Sequence, residues 1–482
     1  MYAAVVFLVL FRTALFTFSE LQFNSDQAVI GLMAKHLSEG RAFPLFMYGQ
    51  NYMLGVEAWL AAPLFMLFGV SIGALKFPVL LINLALAVLV VRLLERECGM
   101  RPRYAFLASL FIILPPVGTM STLQEASGGT IEPLFYLLLL WCVRNRPAWF
   151  GLIAAFGVIH REFTIYGVGV ILAMHIFEGK WRSRESWRAF GRGLRVAAET
   201  WAVIYFLRQF ANAMGPGTGP TIPGSPSNQL AETLNRMCFD PGTLGSGIRV
   251  LVTKHWADLF GTSVMSPTIF GLESSVYVGV AGSGVVLGIA GLLMAARALG
   301  FVRFNREWWQ RHAFAVYLAA VGGISATMYV VVRCGVQSPL RYDTLSIFLA
   351  IALAAIFFIG EQRRILRIAG IVTIVAWACV SAIGHANLWD EYLPHPPTTS
   401  KDLIVKHLDA RGIRYAVSDY WIAYHVTFLT NERIIVAADD VIRIKEYGDI
   451  VAAHKNEAIR ISRRPCGGGP PVIPGVYFCP LE

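Results

Sequence analysis

Along the first 385 positions, uninterrupted apolar runs alternate with short polar segments, and most runs approach the roughly 20 residues a helix needs to cross a bilayer. This pattern predicts crossing helices at 3–19, 73–91, 104–121, 131–143, 147–160, 163–177, 191–211, 276–299, 312–332, 342–360 and 367–385. One further apolar stretch, Leu54–Phe68, is short and carries Glu57 and Pro63, so it is expected to lie in the outer interface. Between 147 and 177 the triplet His160-Arg161-Glu162 interrupts the apolar pattern, which predicts two short helices that rise and return. The expected fold class is mainly α, a polytopic bundle of about 11 transmembrane helices. After position 385 the pattern changes. Pro394, Pro396 and Pro397 mark a linker, and 386–482 reads as a small α/β domain: helix at Thr399–Ala410, strand at Arg414–Ser418, helix at Tyr420–Leu429, strand at Arg433–Ala438.

Composition supports the membrane reading. Apolar residues make up 56% and charged residues 15%, with mean hydropathy +0.55, against about 45–50% and 25% in soluble domains. Seven cysteines in 482 residues exclude a disulfide scaffold, and the hydrophobicity excludes a disordered chain. The net charge of +10 does not indicate nucleic acid, because 386–482 holds 11 Lys and Arg against 12 Asp and Glu. The excess sits in short loops of the membrane part. Of 30 basic residues before position 386, 19 fall in one set of alternate connections, around 92–103, 144–146, 180–195, 297–311 and 363–367. By the positive-inside rule this set is cytoplasmic. The expectation is a multi-pass cell (inner) membrane protein with a cytoplasmic N-terminus and an extracytoplasmic C-terminal domain. The first run lacks a basic n-region and a small-residue cleavage site, so it is expected to be an anchor.

The domains expected are a membrane unit over 1–385 and the α/β unit over 386–482. The membrane unit carries two long outer loops, 20–72 and 212–275, the second opening with a Gly/Pro-rich stretch. Ionisable groups at the outer face are the candidates for chemistry, since charge there is costly unless paired or used. Asp26 opens a segment in which Val29, Ile30, Met33 and Leu37 share a helical face, so it should begin an amphipathic helix resting on the membrane. Two roles fit it: an acidic first-turn residue favoured by the helix dipole, or a general base at an acceptor hydroxyl.

Asp26-Gln27-Ala28, Gly40-Arg41, Pro44-Leu45-Phe46, Tyr48-Gly49-Gln50, Tyr52, Gly55, Glu57, Ala62-Pro63 and Phe68-Gly69 together resemble the first outer loop of GT-C glycosyltransferases. The similar group is the bacterial one that includes protein O-mannosyltransferases and lipid A aminoarabinose transferases. The resemblance is best over 1–92, and the helix-and-loop plan extends it to about 385. It implies a GT-C-like bundle, a polyprenyl-phosphate sugar donor, inverting transfer on the outer face, and a catalytic Asp at Asp26. The chain departs from it at Gln27, where many relatives carry a second acidic residue. Tyr48, Gln50 and Glu57 become candidate substrate-binding residues.

A departing lipid phosphate needs cations. Arg341, which with Tyr342 resembles the start of a late helix in many relatives, Arg161 and Arg333 face outside, and Arg341, Arg161 and Tyr342 are the expected phosphate-binding set. Interface snorkelling explains an Arg-Tyr pair equally simply. His160, Glu162 and Glu125 are further substrate-binding candidates. For the His160–Glu162 triplet the alternative is an ion pair holding the half-helices together, and for Glu125 and Glu132 a solvated turn. Arg12, inside the first run, is expected to pair with a carboxylate or reach an interface. Asp419-Tyr420-Trp421 and Tyr424 suit sugar stacking, as aromatics beside a carboxylate do, and equally suit packing of the outer domain against the membrane unit, the reading preferred. Cys466 and Cys479 could pair or remain thiols. No Asp-x-Asp, His-Glu-x-x-His or phosphate-loop motif occurs, and the ten histidines lack metal-ligand spacing, so no metal site or cofactor is expected.

The function expected is transfer of a sugar from a polyprenyl-phosphate donor to a hydroxyl of a lipid, glycan or protein acceptor. A transporter or flippase of a lipid-linked sugar is the alternative, and nucleic acid is not an expected partner.

Overall fold

The computed structural model describes residues 1–50, 53–179, 182–213, 240–261, 283–303, 305–332, 340–394, 396, 398–466 and 470–481. The elements before the linker are α1 (Tyr2–Phe18), α2 (Ser25–Ser38), α3 (Val56–Phe68), α4 (Ile72–Cys98), α5 (Pro102–Ile113), α6 (Val117–Leu123), α7 (Glu132–Val143), α8 (Pro147–His160), α9 (Thr164–Phe177), α10 (Arg184–Ala213), α11 (Ser283–Leu299), α12 (Ala313–Val332), α13 (Ile347–Gly360) and α14 (Arg364–Tyr392). The expected apolar runs are mainly helical where they are described, the run 104–121 being broken at 114–116. Helices α4, α12 and α14 are each long and apolar enough to cross a membrane. Most of loop 212–275 lies outside the described residues, as does Arg333.

The expected 104–121 helix is two helices. Pro115 and Pro116 cannot donate in the helical ladder, and α5 and α6 meet at 77°. Arg12 meets neither a carboxylate nor an interface: it is 1% exposed and donates from Nη2 to Asn83 Oδ1 at 3.0 Å. Asn83 in turn donates to Leu123 O at 3.0 Å and Gln124 Oε1 at 3.1 Å, a polar clasp that binds α1 and α4 to the loop after α6.

The C-terminal unit contains α15 (Ser400–Ala410), β1 (Tyr415–Ser418), α16 (Tyr420–Leu429), β2 (Ile435–Ala438), α17 (Lys445–Ala453), β3 (Ile459–Ser462) and β4 (Tyr477–Pro480). The sheet order is β2-β1-β3-β4, with β1 parallel to β2 and β3 and with β4 antiparallel to β3. Parallel neighbours require crossovers, which α16 and α17 supply. Ile404, Leu408, Ala416, Val426, Val436 and Ile461 form the core of this unit. Cys466 and Cys479 are disulfide-bonded, with Cα atoms 5.9 Å apart, fastening the segment after β3 to β4.

Helix α2 does not rest on the membrane with one face in water. Lys35 is 6% exposed and His36 1%, because α16 covers the side turned away from α3 and α4. Gly31 allows the close approach: a Cβ there would lie 2.3 Å from Phe428 Cε2. Phe428 packs on Phe23, with ring centroids 5.3 Å apart, and burying such a ring contributes about 1.5–3 kcal/mol. Beside it, Glu432 accepts from Lys35 Nζ at 2.5 Å, from Arg41 Nη1 at 2.6 Å and from Tyr447 O–H at 2.7 Å, and lies 3.0 Å from His36 Nε2. Burial alone would push this carboxyl up, but His36 and Lys35 outweigh burial and hold it well below the usual carboxylate range.

Candidate functional site

The N-terminus of α2 forms one wall of the site. Asn24 caps the helix by accepting from Gln27 N at 3.1 Å, which fixes Asp26 in the first turn, half-buried. The Asp26 carboxylate accepts from Tyr420 O–H at 2.5 Å. Gln27 faces away from that partner: its Nε2 donates to Gln22 O at 2.6 Å and its Oε1 accepts from Ala126 N at 3.2 Å. Gln27 is therefore a bolt between α2 and the loop after α6.

That loop, 124–131, is the second wall. Glu125 is half-buried and accepts from Ser127 Oγ at 3.2 Å. Its charge is felt by Arg341, Lys76 and Asp26. Burial raises its carboxyl above the ordinary range, and Arg341 opposes that rise. Lys76 donates to Phe16 O at 3.1 Å and Leu21 O at 3.2 Å, and is 1% exposed; nothing in an apolar run marks such a lysine as part of a site.

Behind the loop is a second cluster. Gly128 and Gly129 have φ of 84° and 85°, a backbone only glycine adopts freely. Their N–H groups both donate to Glu57 Oε1 at 2.8 Å. Glu57 Oε2 lies 3.6 Å from His160 Nε2, and His160 Nδ1 is 2.9 Å from Tyr136 O–H. Burial pushes the Glu57 carboxyl up, yet His160 and the Gly129 N–H pull it below its ordinary value. Arg161 Nε donates to Gly128 O at 2.6 Å. Glu132 is 2% exposed, and its two carboxylate oxygens lack hydrogen-bond partners among the described residues.

Arg341 sits in a short helical turn, Leu340–Tyr342, with its Nε unpartnered among the described residues. Its guanidinium lies 5.5 Å from the Tyr342 ring centroid, and Tyr342 meets Phe163 edge-on at 5.8 Å. The turn at 340–342 is thereby joined to the bend at 161–163. Among the sequence candidates, Asp26 and Arg341 both act on the carboxyl of Glu125, and Glu57, His160 and Arg161 meet at the loop 128–129. Glu162 is exposed, in the turn between α8 and α9. Tyr48 is 2% exposed and its O–H lies 3.0 Å from His36 Nδ1, which places it in the interface with the C-terminal domain. Gln50 meets Arg443, the Gln50 amide oxygen accepting from Nη2 at 2.8 Å.

Two residues of the C-terminal domain line the site: Tyr420, for which the sequence left sugar stacking beside packing, and Arg443, which it did not single out. Tyr420, read as packing, contacts Asp26, while Trp421 is 49% exposed and Tyr424 is buried, its hydroxyl accepting from Arg443 N at 2.6 Å. Arg443 lies over the Tyr420 ring at 5.7 Å and donates to Gly49 O at 3.2 Å. Among the described residues no three His, Cys, Asp or Glu side chains converge as metal ligands.

No protein-family model matches the sequence, and no curated protein matches it. Solved structures do resemble it. The Archaeoglobus fulgidus oligosaccharyltransferase in complex with zinc and sulfate superposes with a TM-score of 0.50 at 14% identity, over 95% of this chain and 67% of that one. ArnT from Cupriavidus metallidurans bound to undecaprenyl phosphate gives 0.44 at 13% identity, over 95% and 92%. The arabinofuranosyltransferase AftD from Mycobacteria gives 0.43 at 15% identity, over 86% and 29%. The chain shares the fold of the Archaeoglobus fulgidus oligosaccharyltransferase over this span, and its own body is mainly helical with a small C-terminal sheet.

Proposed function

We propose that the chain is an integral membrane glycosyltransferase that takes a sugar from a polyprenyl-phosphate donor and transfers it to an acceptor hydroxyl on the extracytoplasmic face. In this reading the chain crosses the membrane about eleven times, with the N-terminus inside and the C-terminal domain outside. What supports the reading is that Asp26, in the first turn of α2, and Arg341 both act electrostatically on the carboxyl of Glu125.

In this mechanism Asp26 accepts the proton of the acceptor hydroxyl. The oxygen attacks the anomeric carbon from the side opposite the phosphate, a new C–O bond forms, and the old one breaks with its electron pair going to the phosphate oxygen. The configuration inverts. Arg341, with Arg161 and Tyr342, stabilises the charge gathering on the phosphate. Glu125, Gln50, Glu57 and His160 shape the sugar site, the last two through the loop at 128–129. The acceptor is a lipid, glycan or protein hydroxyl.

The test uses purified protein in liposomes with a panel of radiolabelled polyprenyl-phosphate sugars and a membrane extract as acceptor. Donor-dependent formation of a new glycoside is the expected result. Label that crosses the bilayer with no new glycoside would replace the transferase with a transporter.

A further inference from the structure

We infer that the C-terminal domain completes the catalytic centre, with Tyr420 as a positioning residue that holds one oxygen of Asp26 and leaves the other to the acceptor. This rests on Asp26 being the base.

The contact joins residues 394 positions apart. Among the described residues it is the one side-chain hydrogen bond that the Asp26 carboxylate accepts, and at 2.5 Å it has the length of a charge-assisted O–H···O bond. A carboxylate free to rotate about its last torsion spends little time aimed at a substrate hydroxyl. A fixed donor on one oxygen removes that freedom, as the orienting partner of a catalytic base does. Tyr420 suits the task because it stays protonated: burial first, and the Asp26 charge second, raise its hydroxyl far above the ordinary tyrosine value.

Tyr420 is itself held from two further directions. Its N–H donates to Asp440 Oδ1 at 2.7 Å, and its ring packs beneath Arg443. Arg443 is tied to the first outer loop through Gly49 O and Gln50. Gly49 has φ of 68°, and a Cβ there would lie 2.9 Å from Arg443 Cδ, so the loop conformation and the arginine position depend on each other. A chain of contacts therefore runs from the first outer loop through Arg443 and Tyr420 back to Asp26. A packing tyrosine would have needed only its ring. Here the hydroxyl is directed at the one carboxylate placed to act as a base.

The experiment is difference infrared spectroscopy of the full chain in liposomes at pH 8, with wild type minus Asp26→Asn isolating the Asp26 carboxylate band. No donor is required. In Tyr420→Phe, which keeps the ring, the band moves to a new frequency; with 3-fluorotyrosine at 420, a stronger donor in the same shape, it moves in the opposite sense. A band unmoved in both overturns the inference. Should Tyr420→Phe fail to fold, the fluorotyrosine protein decides alone. In the transfer assay Tyr420→Phe loses about tenfold in kcat at unchanged donor KM, the pattern of a transition-state effect. Unchanged kcat overturns the positioning role. Active Asp26→Asn instead overturns the base assignment, so the two failures are distinguishable.

Discussion

Replacing Glu57 by Gln tests the cradle that supports the site. Glu57 is fully buried and its Oε1 receives two N–H groups at 2.8 Å from consecutive glycines in left-handed conformation. Hydrogen bonds to a charged acceptor contribute about 1.5–3 kcal/mol each and neutral ones about 0.5–1.5. Gln keeps the shape and one acceptor oxygen but removes the charge, so each bond weakens by about 1–1.5 kcal/mol. The pair together loses about 2–3 kcal/mol, and the carboxylate charge 3.6 Å from His160 Nε2 is removed as well. Opening of the 126–131 segment should become about 30- to 150-fold more frequent, since 1.36 kcal/mol is a factor of ten. Hydrogen exchange of peptides spanning 126–131 reads this directly, with peptides from α12 as internal control. Because Gly128 O also holds Arg161 and Ser127 holds Glu125, transfer should fall in parallel. Protection unchanged within twofold would refute the reasoning.

Glu432→Gln should loosen the C-terminal domain. The lost charge leaves Lys35, whose side chain is 8% exposed, with only the more exposed Glu39, and breaking a buried pair of this kind costs about 3–5 kcal/mol. Faster exchange throughout α16 is expected, and unaltered exchange would contradict the packing described. Glu20, placed after α1, is raised to about 7, mainly by burial and next by Asp402 on α15. The folded chain keeps this proton after the unfolded chain has lost it, so the stabilisation is complete below the ordinary carboxylate range and is lost as pH rises through about 7. Melting temperature should decline between pH 5.5 and 8.5 in wild type and decline less in Glu20→Gln; parallel slopes would remove Glu20 as the cause.

The apolar helices were legible because each carries its own signal, an apolar run between polar segments. The α15–β1–α16–β2 segment was legible for a similar local reason, alternating periodicity between turn residues. β3, β4 and α17 were not, since Ile459–Ser462 and Tyr477–Pro480 are four-residue strands defined by their partners in the sheet. The break at Pro115-Pro116 was written in the sequence and passed over in favour of length. Asp26 was legible from its helix-start position and the pattern around it. The tertiary part was not: the polar side of α2 looked like a solvent face until α16 covered it. Tyr420, Arg443 and Glu432 reach the site or its border from about 400 positions away, where no local period points to them. Lys76 lies within an apolar helix, buried by carbonyl partners that no spacing rule reveals.

The central claim is that Asp26 takes the acceptor proton. The most direct measurement compares wild type and Asp26→Asn in liposomes, reading single-turnover transfer and donor binding in the same preparation. The account predicts donor binding within about threefold of wild type and transfer reduced at least 10²-fold, the scale on which general-base catalysis acts. Transfer by Asp26→Asn at the wild-type rate with normal donor binding would contradict it.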